Sequence, residues 1–197
     1  MESSEELILK IIIGITGTIG AGKGTVSEYL VKQGFKHFSA REDVINKELL
    51  TRGLEINRDN MVAVANDLRV KHGPSYVAER LFEMAEQSNA NCVLESLRTE
   101  GEIISLRKKG EFYLFAIDAK QKTRYERVQI RKNSQSDDVG FEKFKSQEKT
   151  EMTSNDPTKQ NLQRCIEIAD YIIENNDSIE TLYEKVDEIL NKINQRE

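Results

Sequence analysis

Between Gly17 and Thr25 the chain reads GTIGAGKGT, with Gly17, Gly22 and Lys23 in the register G-x-x-x-x-G-K. Backbone N–H groups can wrap an oxyanion only where no Cβ blocks the approach. A lysine at the loop's end then sets a cation against the β- and γ-phosphates of a nucleotide. Gly17, Thr18, Ile19, Gly20, Ala21, Gly22, Lys23, Gly24 and Thr25 are therefore the candidate ATP-phosphate loop. The residue after the lysine is ordinarily a Ser or Thr that ligates Mg²⁺. Here it is Gly24, and Thr25 follows it, better placed as a phosphate contact than as a direct metal ligand. The competing reading is a glycine-rich turn without a ligand. The context test is an apolar strand before the loop and a helix after it, and IIIGI before and Val26, Tyr29 and Leu30 after satisfy it. No N-K-x-D segment is present to read guanine, which argues against GTP as sole donor.

Phosphoryl transfer also needs a place for the acceptor and cations for the charge that develops. Three further groups are candidates. In AREDVINKE, Asp43 heads a helical pattern: it could take a proton from an acceptor hydroxyl, or it could simply complement the helix N-terminus. In ESLR, Glu95 closes an apolar run where a Mg²⁺-bound water could be held, and Arg98 could clamp an acceptor phosphate. The bland alternative for Arg98 is a surface pair with Glu100 or Glu102. Arg124, Arg127 and Arg131 stand at i, i+3 and i+7, one side of a helix, either as a cationic face for the transition state or as a solvated face pairing with acids such as Glu126. His37 and His72 have no Cys or His partner at metal spacing and read as structural or surface residues.

These groups must be held by a scaffold, and the hydropathy pattern supplies one. Apolar runs at KIIIGI, FKHFS, NCVLES, EFYLFAIDA and YIIEN alternate with helical patterns at about 23–33, 41–51, 58–71, 74–87, 100–109 and 120–131, and after Ser178. Gly34 and Gly110 fit helix C-termini, and Pro74 the first turn of the fourth helix. Strand–helix alternation predicts a parallel sheet covered on both faces, with ligands outside the carboxyl ends of the strands. KNSQSDDVG is polar and lid-like. With 197 residues, 38% hydrophobic and 32% charged, the chain fits one domain, 1–197. A net charge of −5 argues against a broad nucleic-acid or anionic-membrane surface. Two distant cysteines and an acidic N-terminus suggest a reduced, cytoplasmic setting.

The segments GITGTIGAGKGT, SAREDVINKE, LRVKHG, VLESLRTEGEI, DAKQKTRYERVQIR and ADYIIENNDSIETLYEKV together resemble P-loop nucleotide kinases, in the adenylate kinase-related and dephospho-CoA kinase-like branch, from about Lys10 to Leu190. The resemblance implies an α/β P-loop NTPase fold with a five-stranded parallel sheet. It also implies an acceptor-binding helical segment around 41–85 and a lid around 128–155. Lys23, Asp43, Arg127 and Arg131 would then be catalytic, with Asp43 and Arg98 at the acceptor. Asn175 would lie near adenine, and Thr25 and Glu95 near Mg²⁺, the latter through water. The implied activity is transfer of the γ-phosphoryl of Mg-ATP to a nucleotide-type acceptor, a nucleoside or deoxynucleoside monophosphate. Phosphorylation of the dephospho-CoA 3′-hydroxyl is one alternative, and a non-catalytic ATP sensor another. The chain departs from these kinases at Asn46, where adenylate kinases tend to carry arginine, and at ESLR, which replaces DGxPR.

Overall fold

The run ahead of the loop forms β1 (Ile12–Gly17), buried along its whole length. In the computed structural model, which describes residues 10–131, 140–154 and 160–195, it lies at the centre of a five-stranded sheet. The other strands are β2 (Lys36–Ser39), β3 (Cys92–Glu95), β4 (Tyr113–Asp118) and β5 (Tyr171–Glu174). Their order is β2-β3-β1-β4-β5 and every pairing is parallel, Gly14 standing opposite Leu94 on one side and Leu114 on the other.

The helices are α1 (Lys23–Lys32), α2 (Asn46–Thr51), α3 (Arg58–His72), α4 (Tyr76–Glu86), α5 (Glu100–Lys109), α6 (Gln121–Arg131), α7 (Phe141–Met152), α8 (Leu162–Glu167) and α9 (Ile179–Asn194). The pleat of β1 sorts them into two layers. Ile13 and Ile15 face Val26 and Leu30 of α1 and Leu182, Val186, Ile189 and Ile193 of α9. Ile12 faces Leu81 and Phe82 of α4, Ile103 and Leu106 of α5, and Cys165 of α8. Each fully buried aliphatic side chain of this kind stabilises the fold by ~1.5–3 kcal/mol. Leu49 of α2 packs with Val64 and Leu68 of α3 in a small core of its own, off the sheet.

Two stretches differ from the periodicity reading. The pattern at 41–51 is a six-residue π-helical segment, Ala40–Ile45, running into α2, with the Ser39 hydroxyl accepting the Glu42 N–H at its start. Residues 141–167 contain α7 and α8, which the apolar pattern does not announce. Of α7 only Phe144 and Glu148 are buried, and a charged residue in an inward position breaks the signal. Of the expected lid, 132–139 and 155 lie outside the described residues, as does the acidic segment 1–9. Among the described residues no helix is long and apolar enough to cross a membrane.

Candidate functional site

The loop between β1 and α1 opens at the carboxyl edge of the sheet. Gly17 (φ 130°) and Gly22 (φ 104°) take backbone conformations closed to most L-residues. A Cβ on Gly17 would overlap the Ile117 carbonyl of β4, and one on Gly22 would overlap the side-chain amide of Asn175. The loop is pinned from two sides. The Thr18 hydroxyl donates to Asp118 Oδ1 (2.7 Å), and Asn175 Nδ2 donates to the Ala21 carbonyl (2.8 Å). The N-cap position of α1 is Gly22, with no capping side chain, so the first-turn amides point their unpaired N–H groups and the positive end of the helix into the opening.

That opening is a cavity of about 610 Å³, inside the ~300–1,000 Å³ range of small-molecule sites. Its wall brings together Gly17, Ile19, Gly20, Gly22, Lys23, Gly24 and Thr25 of the loop, Glu95 at the end of β3 and Arg98 after it, and Arg127 and Arg131 of α6. Of the anticipated loop residues, Thr18 and Ala21 are buried behind the wall. Lys23 folds back, Nζ donating to the carbonyls of Gly17 (2.8 Å) and Thr18 (2.7 Å). Burial, then the charge of Arg98, pulls its ammonium down to about 8, against the opposing pull of Glu151 and Glu95. A smaller cavity of about 160 Å³ adjoins, where Asn175 meets Gly22, Thr25, Arg127, Asp177, Ile179 and Leu182.

The segment after β3 is held by the α5 capping box. Glu102 Oε2 accepts the N–H of Arg98 (2.9 Å) and of Thr99 (3.1 Å), while the Thr99 hydroxyl accepts the Glu102 N–H. Burial pushes the Glu102 carboxyl up, and the two backbone donors hold it down against that. Thr16 of β1 donates to the Leu97 carbonyl (2.8 Å), tying the segment to the central strand. Ser96 between them sits at φ 73°, a left-handed conformation rare for a residue with a Cβ. The Arg98 side chain pairs with neither Glu100 nor Glu102. From its place on the cavity wall, its NH1 donates to Gln160 Oε1 (3.0 Å).

Not every anticipated residue converges. Asp43 is absent from the wall: its Oδ2 accepts the Ser39 N–H (2.8 Å) and its Oδ1 pairs with Lys47 (3.1 Å), the helix-start arrangement. Arg124 is a correction to the one-sided arginine face. It is 6% exposed, ion-paired with the equally buried Glu148 of α7, and its Nε donates to the Ala119 carbonyl (2.7 Å). Its NH1 also reaches the loop carbonyl of Ile19 (3.4 Å). Arg127 instead reaches the site, NH1 donating to the Asn175 carbonyl (2.9 Å). The sequence reading missed Glu151 on the wall and the contact that His37 makes behind it. Glu151 comes from the unannounced α7. His37, behind the wall, places Nε2 3.0 Å from Glu95 Oε2. This pair holds the Glu95 carboxyl below its ordinary range and raises the imidazole.

Residues 13–156 match the family described as the AAA domain. A UPF0200 protein of Methanosarcina mazei is 32% identical over 184 residues, covering 91% of this chain and 93% of that protein. A UPF0200/UPF0201 protein of Archaeoglobus fulgidus is 30% identical over 188 residues, covering 92% of this chain, and the chain spans 55% of that relative's length. Among solved structures, shikimate kinase from Acinetobacter baumannii in complex with shikimate superposes with a TM-score of 0.52 at 15% identity, covering 96% of each chain, which shows a shared fold. Strand order, phosphate loop and sequence likeness agree: the chain belongs to the UPF0200 family and carries its AAA-type P-loop domain on a kinase-like fold.

Proposed function

We propose that this protein is an ATP-dependent phosphotransferase that moves the γ-phosphoryl of Mg-ATP to a phosphate oxygen of a nucleotide-type acceptor, a nucleoside or deoxynucleoside monophosphate. The observation that carries the choice of acceptor atom is the contrast between Arg98 and Asp43. Arg98 stands on the cavity wall, oriented by Gln160 and by the capping box beneath it. Asp43 is engaged by Ser39 and Lys47, off the wall. A phosphate oxygen needs a cation to bind it and no base to deprotonate it, whereas a hydroxyl needs a base.

The donor side supports the same reading. The glycine positions leave a cradle that side chains would fill, and the open first-turn amides of α1 suit phosphate oxygens. Lys23 leaves its two carbonyls to meet the β- and γ-phosphates. Thr25 and Glu95 offer hard oxygen donors for Mg²⁺ or its waters, which fits a metal carried in by the nucleotide. When bound, Mg²⁺ supplies charge neutralisation across the β- and γ-phosphoryl oxygens. In transfer, an acceptor phosphate oxygen forms a bond to the γ-phosphorus as the bond to the β,γ-bridging oxygen breaks, and ADP leaves. Lys23, Arg127 and Arg131 face the charge on the equatorial oxygens. Asn175 and the small cavity beside it would receive the base.

The test is ADP release from Mg-ATP across AMP, CMP, UMP, GMP, their deoxy forms and dephospho-CoA, with Lys23→Ala as control. Turnover with one monophosphate, and a raised acceptor KM in Arg98→Met, is expected. Turnover with dephospho-CoA alone would transfer the reaction to a hydroxyl acceptor. ATP binding without turnover on any acceptor would leave an ATP sensor as the better description.

A further inference from the structure

The P-loop cavity has a problem that its lining makes visible. Lys23 and Arg98, which must meet phosphate, share the wall with the carboxylate of Glu95. In a partly desolvated cleft an unrestrained carboxylate is drawn onto such cations, since two unit charges 4 Å apart attract by about 4 kcal/mol at an effective dielectric of 20. An acid collapsed onto Lys23 or Arg98 would compete with the nucleotide for both. Yet neither cation forms an ion pair with Glu95. Lys23 is held by the carbonyls of Gly17 and Thr18, and Arg98 by Gln160.

What holds Glu95 is His37. In the β2–β3 ladder His37 stands opposite Val93 and Ser39 opposite Glu95, so His37 and Glu95 are diagonal neighbours on one face of the sheet, the face that Val93 shares with α1. That register brings His37 Nε2 to 3.0 Å from Glu95 Oε2. The ring engages one carboxylate oxygen from the strand edge, on the side away from the loop. Both side chains are only about one third exposed or less (34% and 29%), so water weakens the pair only in part.

We propose that His37 is a positioning residue which keeps Glu95 off the phosphate-binding cations and presents its second oxygen to the cavity. The proposal rests on reading this cavity as the ATP-phosphate site. Removing His37 frees Glu95 to pair with Lys23 or Arg98, so anions bind more weakly although His37 itself touches none. The effect must vanish when Glu95 carries no charge.

The experiment is calorimetric binding of ATP and of tripolyphosphate, both in EDTA so that no metal contributes. It uses the full chain and the variants His37→Ala, His37→Gln, Glu95→Gln and His37→Ala/Glu95→Gln, with melting curves to confirm folding. His37→Ala is expected to weaken both ligands about tenfold, a size typical of a lost charge-assisted hydrogen bond. His37→Gln, which retains a donor, recovers most of that loss. In the Glu95→Gln background His37→Ala changes affinity less than twofold. An equal loss in both backgrounds would mean that His37 acts on the fold rather than through Glu95, and would overturn the proposal. So would unchanged affinity in His37→Ala. If the unaltered protein binds neither ligand, the phosphate-site reading itself fails, and this inference falls with it.

Discussion

Replacing Lys23 by methionine is expected to stabilise the empty protein while removing most of its hold on ATP. The ammonium sits under burial and the repulsion of Arg98, which together bring it from 10.5 in the unfolded chain to about 8. At about 1.4 kcal/mol per pH unit, that gap makes the charged lysine cost roughly 3 kcal/mol at pH 7, or ~1–3 kcal/mol after allowing for solvent screening in an open cleft. Methionine keeps the stem and drops the charge. It also releases the part-buried carbonyls of Gly17 and Thr18 from their shared donor, giving back ~1 kcal/mol. A net gain of ~1 kcal/mol raises Tm by about 2–4 °C in a chain of this size.

The pH dependence makes the test sharper. Because the folded value lies below the unfolded one, the folded chain holds fewer protons between about 8 and 10.5, and wild-type stability rises with pH through that window. The methionine variant lacks this contribution. Its advantage, measured by urea unfolding at pH 7, 8, 9 and 10, therefore shrinks and then reverses as pH increases. ATP affinity falls at least about a hundredfold in the same variant, with the loss of a cation facing the phosphates. A variant less stable than wild type at pH 7, or a stability difference flat in pH, would refute the reasoning.

Other perturbations probe the supports around the loop. Glu148→Ala leaves Arg124 buried without its carboxylate and is expected to lose ~3–5 kcal/mol, read as a fall in Tm of roughly 10 °C, while Arg124→Met/Glu148→Leu regains much of it. Asn175→Ala removes the donor that holds the Ala21 carbonyl; titration calorimetry is expected to show ATP affinity lowered about tenfold with a change in Tm of only about 2–4 °C. Ser96→Gly relieves a left-handed backbone and raises stability by up to about 1 kcal/mol in denaturant titration.

How far the sequence reveals this molecule depends on whether the signal is local. The core strands are legible because a parallel sheet buries both faces, so β1 and β4 read as unbroken apolar runs. α9 is legible because Leu182, Val186, Ile189 and Ile193 keep helical spacing under a Ser178 cap. The phosphate loop is legible because its chemistry restricts each position in turn. What escapes is set by contacts between distant residues. The spacing of Arg124, Arg127 and Arg131 implies one face, but it does not show that Glu148, 24 residues on, turns Arg124 inward. The pairing of His37 with Glu95 exists only in the β2–β3 register, which no spacing within either strand encodes. Asp43 shows the reverse: its position after a strand fits a base, and the local competition of Ser39 and Lys47 decides its contacts.

Both cysteines, Cys92 on β3 and Cys165 on α8, are buried in the layer that joins the sheet to α4, α5 and α8. Burial raises both thiols, that of Cys165 to about 12, so in the closed protein neither offers much thiolate to a reagent. The chain thus contains two internal clocks. Thiol labelling over time reports how often this layer opens, and labelling resolved by residue separates release of short α8 from breakage of the sheet beneath it. The quiet background also lets a single cysteine introduced on α7 carry a fluorophore, so the motion of Glu151 relative to the phosphate loop can be followed as nucleotide is added.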